Sequence, residues 1–246
     1  MDIKGAVVLI TGANRGIGKA FVNELIKAGA AKVYAAVRNP EKAKFLATGS
    51  GKIITLQLDI TESEQVEAAA QKCSDVNILI NNAGVLTGGS CFEKTLEGAR
   101  KEMETNYFGT LSMARAFAPV LQKNGGGAMI NICSIASHVD FPVIATYSAS
   151  KAAEWSITKS LRSELAAQNT RVIGVYPGPI DTDMTADMDM EKAPPEQVAR
   201  KTIIAIRSDK DDVFPDEMSD RMYHELRQNP EVAEKQAAEL LPAAEA

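Results

Sequence analysis

Short runs of aliphatic and β-branched residues alternate along the chain with stretches in which apolar residues recur every three to four positions. The apolar runs predict six strands, at residues 6–11, 32–37, 52–58, 78–81, 128–132 and 171–176. The periodic stretches predict amphipathic helices at about residues 16–28, 40–48, 62–72, 95–123 and 147–167. Nearly continuous apolar strands are typical of a parallel sheet buried on both faces. Because strands and helices alternate, the pattern predicts an α/β fold with a doubly wound, mostly parallel sheet and helices on both faces.

The alternation continues to residue 208 without a linker, a repeat or a low-complexity segment. Beyond Asp209 the sequence DKDDVFPDEM allows one short strand, and a polar tail rich in Glu and Ala follows. We expect this tail to begin as a helix and to fray towards its end. Residues 1–208 and 209–246 are therefore predicted to be the body and the tail of a single domain.

Composition narrows the class of protein. The chain has 246 residues, of which 45% are hydrophobic and 24% charged, as is ordinary for a globular protein with a sizeable core. A net charge of −5 gives no electrostatic reason to expect nucleic acid as a partner. The amino-terminal MDIKGAVVLITG lacks the pattern of a signal peptide, and no segment approaches the ~20 apolar residues of a membrane helix. We expect a cytoplasmic protein that does not bind membranes.

The cysteines and histidines indicate neither a disulfide framework nor a metal site. Cys73, Cys91 and Cys133 are scattered and include no C-x-x-C pair. His138 and His224 are the two histidines of the whole sequence. No bound metal is expected.

The first predicted strand runs into the glycine-rich stretch TGANRGIG, from Thr11 to Gly18. Gly12, Gly16 and Gly18 allow a turn and a close approach of the backbone to a diphosphate, which can then lie at the N-terminus of the next helix. The spacing differs from the G-x-G-x-x-G fingerprint, so the glycines alone are a weak signal. Their position between a strand and a helix strengthens it.

Other predicted strands also end in polar, glycine or proline residues. Arg38 follows the second strand, where an NAD site usually has Asp or Glu and a basic residue suits the 2′-phosphate of NADP. Asp59 ends the third strand and could bind an adenine amine or cap the next helix. Asn82 ends the fourth, and Ser134 ends the fifth. Because ligands of such folds bind outside the carboxyl ends of the strands, the set predicts a ligand site there.

Tyr147 and Lys151 stand four residues apart in a predicted helix, which places both side chains on one face. The pairing could be accidental, since both are ordinary helix residues. It could also be catalytic, because an ammonium group favours the phenolate and so makes a tyrosine a better acid or base. The pair by itself does not decide between the two.

The order of these motifs resembles the short-chain dehydrogenase/reductase family, in its compact single-domain branch with a Rossmann fold. The resemblance covers roughly residues 5–207 and rests on TGANRGIG, NNAG at 81–84, Ser134, YSASK at 147–151 and PGPIDT at 177–182. Asn106 in ETNYFGT matches the asparagine that the family carries in a helix. Each motif is unspecific alone, but five in the family's order and spacing are specific.

The resemblance implies roles for these residues. Tyr147 would protonate a carbonyl oxygen, Lys151 would lower the pKa of Tyr147 and bind the nicotinamide ribose, and Ser134 would bond the substrate oxygen. Asn106 would hold a water that links Lys151 to solvent, and Ile180 and Thr182 would bind the carboxamide. The implied cofactor site comprises Gly12, Asn14, Arg15, Gly16, Ile17, Gly18, Arg38, Asp59, Ile60, Asn82, Ala83, Gly84, Tyr147, Lys151, Pro177, Gly178, Ile180 and Thr182.

We therefore expect an NADP(H)-dependent reductase of ketones or aldehydes, with Arg15 and Arg38 binding the 2′-phosphate. The apolar residues near the catalytic positions favour a neutral, apolar carbonyl substrate; they are Val85, Leu86, Ile135, Val139, Phe141, Val143 and Ile144. The segment DMTADMDMEKAPP (residues 183–195, here called the lid) occupies the place of the family's substrate lid and adds three methionines.

Several alternatives remain open. One is a 3-oxoacyl-thioester reductase, although the acidic residues in and beside the lid make a poor surface for an acidic carrier protein. A second is a non-catalytic NADP-binding sensor, since fold does not imply function. An epimerase or dehydratase would be expected to have a larger C-terminal domain. The chain also lacks the usual family ending, so we expect a homodimer through the helices at 95–123 and 147–167, with a tetramer less favoured.

Overall fold

A computed structural model describes residues 1–41, 43, 51–93 and 95–239. Its central sheet has seven parallel strands in the order β3-β2-β1-β4-β5-β6-β7. The strands are β1 (Val7–Thr11), β2 (Lys32–Val37), β3 (Ile53–Gln57), β4 (Ile78–Asn81), β5 (Gly127–Ile132), β6 (Thr170–Val175) and β7 (Asp212–Val213). The predicted doubly wound parallel sheet is confirmed, and the six main strands differ from the predicted ranges by at most one residue at either end.

Helices connect the strands on both faces of the sheet. They are α1 (Gly16–Lys27), α2 (Ser63–Lys72), α3 (Leu96–Glu102), α4 (Thr110–Lys123), α5 (Ala145–Glu164), α6 (Pro195–Arg207), α7 (Glu217–Gln228) and α8 (Pro230–Ala238). The helix predicted at 40–48 lies largely outside the described residues. The tail beyond residue 209 begins with β7 and two helices, whereas the division of the chain at residue 208 stays a prediction.

One predicted helix is wrong in detail, and one helix was missed. The stretch 95–123 is interrupted, because a π-helical turn at Met103–Gly109 separates α3 from α4. We did not predict α6 from the sequence pattern. Two signals for it were present: Pro195 is its first residue, and the buried Val198, Thr202 and Ile206 recur every four residues.

Two hydrophobic layers cover the sheet, as the alternation of side chains along β1 shows. Val8 and Ile10 pack into the layer formed with α1 and α6, whereas Leu9 faces the layer formed with α2, α4 and α5. Phe21 of α1 and Phe117 of α4 are fully buried on opposite faces. Burial on both faces explains why the strands are almost continuously apolar.

The strand order reverses between β1 and β4, because β2 and β3 lie on one side of β1 while β4, β5 and β6 lie on the other. The loops that follow β1 and β4 therefore leave the sheet in opposite directions and open a crevice at its carboxyl edge. The functional residues predicted from the sequence follow these strands. The topology thus explains why residues distant in sequence share one site.

Candidate active site

A cavity of about 480 Å³ opens at this edge of the sheet, a volume typical of small-molecule sites. Every residue that the sequence assigns to the cofactor lines it: Gly12, Asn14, Arg15, Gly16, Ile17, Gly18, Arg38, Asp59, Ile60, Asn82, Ala83, Gly84, Tyr147, Lys151, Pro177, Gly178, Ile180 and Thr182. Ser134 lines the same cavity, whereas Asn106 is fully buried and does not line it. The structure brings the predicted residues together, and their roles stay predictions.

The glycine loop forms one end of the cavity. Gly12 and Gly16 have φ angles of +66° and +49°, which side-chain-bearing residues rarely adopt. A Cβ on Gly18 would collide with the carbonyl of Gly12, and one on Gly12 would lie 3.1 Å from the Asn82 side chain. The backbone is therefore exposed to the cavity just before α1, as a diphosphate cradle requires.

The loop after β4 is tied to the end of β1. The backbone N–H of Asn82 donates to Thr11 Oγ1 at 2.9 Å, and Asn82 Nδ2 donates to the Thr11 carbonyl at 2.8 Å. The side chain of Asn82 thus holds the glycine loop and the NNAG loop together. This binding between two loops accounts for the asparagine more fully than the plain turn that its residue type suggests.

Two arginines lie at the end of the cavity nearest β2. Arg38 is exposed at the end of β2, and Arg15 of the glycine loop lines the same cavity. Arg15 Nη1 lies 3.0 Å from Asp183 Oδ2 in the lid, and both side chains are largely exposed. The lid therefore contributes a carboxylate to the surroundings of Arg15, which the sequence pattern did not predict.

Asp59 lines the cavity after β3 and also organises its own loop. Its Oδ1 accepts hydrogen bonds from the Thr61 backbone N–H at 3.1 Å and from Thr61 Oγ1 at 2.8 Å. Its backbone N–H donates to Gln65 Oε1 of α2 at 2.9 Å. The expectation that Asp59 caps α2 is wrong, because Glu62 is the N-cap residue and no described side chain caps this helix. Asp59 instead forms a turn with Thr61 ahead of α2, and its contact with an adenine stays a prediction.

Asn106 lies in the π-helical turn, where its side chain faces the loop after β4. Its Oδ1 accepts from the Val85 N–H at 2.8 Å, and its Nδ2 donates to the Val85 carbonyl and to Ser150 Oγ, both at 2.9 Å. Both N–H groups are therefore engaged by protein atoms. The side chain fixes the wall of the cavity beside Gly84, and the predicted water-holding role stays a prediction.

Ser134 and Tyr147 face the middle of the cavity, and each is 9% exposed. Ser134 follows β5 and caps the short 3₁₀ turn Ile135–Ser137, accepting a hydrogen bond from the Ala136 N–H at 3.1 Å. Tyr147 lies in the first turn of α5. The cap fixes the backbone from which Ser134 projects towards the cavity beside Tyr147.

Lys151 lies one turn further along α5, with Nζ 5.8 Å from the centre of the Tyr147 ring. Its ammonium donates to the Ile132 carbonyl at 2.9 Å and to Glu154 Oε2 at 2.7 Å. The side chain of Lys151 is 5% exposed and that of Glu154 2%, so this is a buried ion pair. Glu154 was not predicted from the sequence, although its i+3 spacing from Lys151 was visible.

The electrostatics of the site keep the phenol protonated. Burial raises the pKa of Tyr147, the charge of Lys151 lowers it, and the carboxylate of Glu154 raises it again, leaving it above its ordinary value. Burial by itself lowers the pKa of Lys151, but Glu154, Tyr147 and Cys133 together outweigh it and the pKa is raised. At neutral pH the site therefore holds an ammonium group beside a neutral phenol.

The far end of the cavity is apolar. Six of the seven predicted apolar residues line it, namely Val85, Leu86, Ile135, Phe141, Val143 and Ile144. Val139 does not line the cavity, because its side chain packs into the small core beneath it. The lid adds Met184, Met188 and Met190.

The carboxyl-terminal tail also reaches the cavity, which the sequence pattern did not predict. Met218 of α7 lines it, and Met222 packs in one hydrophobic cluster with Tyr147. Asp216 caps α7 and accepts a hydrogen bond from the Gly178 N–H at 2.7 Å. The PGP turn after β6 and the tail are therefore fixed to each other, and α7 forms part of the apolar end of the cavity.

Within the described part of the chain, no helix is long and apolar enough to cross a membrane. No group of three His, Cys, Asp or Glu side chains in that part is arranged to hold a metal ion.

A glycine loop, a buried Tyr–Lys pair and an apolar pocket thus meet at the carboxyl edge of a doubly wound sheet. The sequence model of the short chain dehydrogenase family matches residues 6–193. The chain belongs to this family, and it is an oxidoreductase.

Relatives and solved structures agree with this assignment. An uncharacterized oxidoreductase of Staphylococcus saprophyticus is 31% identical over 218 residues, covering 84% of this chain and 93% of the relative. A short chain dehydrogenase from Burkholderia cenocepacia, solved in complex with NADP, is 40% identical, with a TM-score of 0.92 and coverage of 98% and 100%. A family member from Burkholderia phymatum, solved with NAD, is 22% identical with a TM-score of 0.82 and coverage of 93% and 96%; it shows the fold alone.

Proposed function

We propose that the protein is an NADPH-dependent reductase that converts a neutral, apolar ketone or aldehyde into an alcohol, in a reversible reaction. The observation that carries the proposal is one cavity with three parts: a glycine cradle beside two arginines, a central Tyr147–Lys151 pair, and an apolar end. The complex of the Burkholderia cenocepacia relative with NADP supports the choice of cofactor.

The residues fit a nicotinamide dinucleotide. The exposed backbone of the glycine loop would hold the diphosphate, and Arg15 and Arg38 would bind the 2′-phosphate through their forked donors. Lys151 has one ammonium hydrogen beyond the two that bond Ile132 and Glu154, and it would bind the ribose hydroxyls. Ile180 and Thr182 would hold the carboxamide. When bound, NADPH supplies the hydride.

The chain's own residues handle the proton. Ser134 would donate a hydrogen bond to the substrate's carbonyl oxygen and hold it near the Tyr147 hydroxyl. As the carbonyl carbon gains a hydride, Tyr147 would give its proton to the oxygen, which leaves an alcohol and a phenolate. Lys151 would stabilise that phenolate until a proton from solvent restores the phenol. In the reverse direction the phenolate would accept the alcohol's proton.

Turnover of NADPH with a panel of ketones and aldehydes tests the proposal, with Tyr147→Phe as the matched variant. Loss of a positioned acid should lower turnover by roughly 10²–10⁴ while NADPH binding and the fold persist. Wild-type-like turnover by Tyr147→Phe would refute the mechanism. NADPH binding without any turnover across the panel would favour the non-catalytic sensor.

We also propose that two copies associate through the outer faces of α4 and α5. Phe108, at the start of this surface, is 50% exposed, which is unusual for so large an apolar side chain. Sedimentation of the purified chain tests this, and a monomer at micromolar concentration would contradict it.

A further inference from the structure

Glu154 is a buried charged residue that the proposed reaction does not use. Its side chain is 2% exposed, and its Oε2 lies 2.7 Å from Lys151 Nζ. Its other oxygen, Oε1, accepts a hydrogen bond from Thr110 Oγ1 of α4 at 3.4 Å. Burying a carboxylate is costly unless it is paired, so this placement calls for a role beyond simple packing.

Tyr147, Lys151 and Glu154 form a row along one face of α5, at positions i, i+4 and i+7. Lys151 lies between the other two and contacts both. The Ile132 carbonyl accepts a hydrogen bond from the ammonium and thereby favours its charged form. The Lys151 ammonium group therefore interacts with the Glu154 carboxylate as well as with Tyr147.

Few other charges face this row. Cys133 lies beside it at the end of β5, and burial raises the pKa of its thiol well above the ordinary value, so it is neutral at pH 7. The carboxylate of Glu102 in α3 accepts hydrogen bonds from Thr87 and from Thr146, of which Thr146 lies at the start of α5. Asp212 of β7 acts on Cys133 from further away. Lys101 and Glu104 line the cavity as well and contribute charges of opposite sign.

We propose that Glu154 is a positioning residue that raises the pH at which the Tyr147–Lys151 pair loses its proton, so that Tyr147 remains a proton donor for reduction up to higher pH. The inference rests on the proposed function, in which Tyr147 is the acid. Glu154 acts through Lys151 and touches neither substrate nor cofactor.

The physical reason lies in the charge of the pair. With its proton in place the pair carries one positive charge, and without it the pair is neutral. A buried carboxylate stabilises the charged form and not the neutral one. Its removal therefore makes the pair lose its proton at lower pH, whichever of the two groups releases it. Because the Ile132 carbonyl favours the ammonium, the phenol is the group that deprotonates first.

The test is Glu154→Gln, which removes the charge at nearly constant shape. The phenolate absorbance is titrated in the protein without cofactor, and subtraction of the same titration of Tyr147→Phe isolates Tyr147 from the other four tyrosines. The titration of Tyr147 should move down by about one pH unit or more, the size of shift that one nearby charge causes. The pH profiles of kcat/KM for reduction and for alcohol oxidation should both move to lower pH by the same amount.

Two variants on the same helix serve as controls. Glu164→Gln removes a negative charge from the exposed end of α5 and should leave the titration unchanged. Glu154→Asp keeps the carboxylate and should keep the wild-type midpoint, even if the shorter side chain lowers kcat. If Glu154→Gln does not fold, Glu154→Met removes the same charge with a side chain of similar length.

A Tyr147 titration that is unchanged in the folded charge-removing variant would overturn the inference. An equal shift in Glu164→Gln would overturn it as well, because the effect would then be one of net charge. Since the absorbance titration needs no turnover, its result stands even if the wild-type protein reduces no carbonyl compound. Failure of the proposed function and failure of this inference are thus separate outcomes.

Discussion

Arg15 of the glycine loop and Asp183 of the lid form an ion pair, with 3.0 Å between Arg15 Nη1 and Asp183 Oδ2. In the proposed function the same guanidinium binds the 2′-phosphate of NADP. The lid carboxylate and the cofactor phosphate therefore compete for one arginine. The pair is exposed on both sides, so its strength is modest.

Asp183→Asn should strengthen binding of NADPH, because Arg15 is then free of its protein partner. An exposed ion pair is worth at most about 1 kcal/mol, so the dissociation constant should fall by up to about fivefold. Fluorescence titration with NADPH measures this. Asp187→Asn, which removes a neighbouring lid charge, is the control, and equal effects of the two variants would show that only net charge matters.

Arg38 should determine the preference for NADPH over NADH. A charge-assisted hydrogen bond is worth ~1.5–3 kcal/mol, which predicts a preference of roughly tenfold to a hundredfold. The preference should weaken as salt is added, because it is partly electrostatic. The double variant Val37→Asp and Arg38→Gln should erode or reverse it, since an acidic residue at the end of β2 can bind a ribose 2′-hydroxyl.

The ratio of kcat/KM for the two cofactors measures this preference. Arg221→Gln, an exposed arginine of α7 that does not line the cavity, should leave the ratio unchanged. Equal kcat/KM for NADPH and NADH in the wild-type protein would contradict the assignment of Arg15 and Arg38.

Met218 should limit the size of the substrate. It enters the apolar end of the cavity from α7, so Met218→Trp should narrow this end. We expect kcat/KM for bulky ketones to fall by about tenfold or more relative to small ones, as one or two methylene groups do in other apolar pockets. Met218→Leu should change the ratio little. The dissociation constant of NADPH should stay the same in both variants. A loss of NADPH binding would show that Met218 supports the cofactor site and would contradict its assignment to the apolar end.

His138 should make the fold sensitive to acid. Its ring packs against Trp155, Tyr176, Phe214 and Tyr223. Burial lowers its pKa from 6.5 to about 4. Because the unfolded chain binds the proton first as pH falls, the histidine costs stability between pH 6.5 and 4. From these two pKa values the loss at pH 5 is about 2 kcal/mol relative to pH 7.5.

Urea unfolding at pH 7.5 and pH 5 measures this loss. His138→Phe keeps an aromatic ring but cannot take up a proton, so its free energy of unfolding should fall by about 2 kcal/mol less than that of the wild type. His224→Phe, an exposed histidine, should behave like the wild type. Identical acid sensitivity of wild type and His138→Phe would show that the pKa of His138 is the same in the folded and the unfolded chain.

The sequence predicted the sheet and the positions of the cofactor-site residues because both follow from local patterns. Buried parallel strands leave apolar runs, and the residues that end them necessarily meet at one edge. Contacts made by the backbone or by a distant segment leave no such pattern. Three features depend on how separate elements pack: the π-helical turn, the hydrogen bond from the Gly178 N–H to Asp216, and the entry of Met218 into the cavity.

Glu154 is an instructive intermediate case. Its spacing from Lys151 was visible, but exposed Lys–Glu pairs at i, i+3 are common on helices and usually stabilise only the helix. What distinguishes this pair is burial, which depends on the neighbouring α4 and on β5. Pattern alone does not say which face of a helix a charged pair occupies when the surrounding residues are small or polar, as they are in ATYSASKAAEW.

Because α7 lines the cavity, a ligand bound in the cavity should change how readily proteases cleave the C-terminal tail. Met218 lines the cavity, and Asp216 accepts a hydrogen bond from the turn after β6, so the tail is docked against the cavity wall. A ligand that fills the apolar end binds the chain when its tail is docked and not when the tail is released. Such a ligand should therefore shift the equilibrium towards the docked tail and protect it from proteases. Cleavage within the tail should in turn spare the cofactor cradle, which is built from β1, α1 and β4, and abolish discrimination among carbonyl compounds.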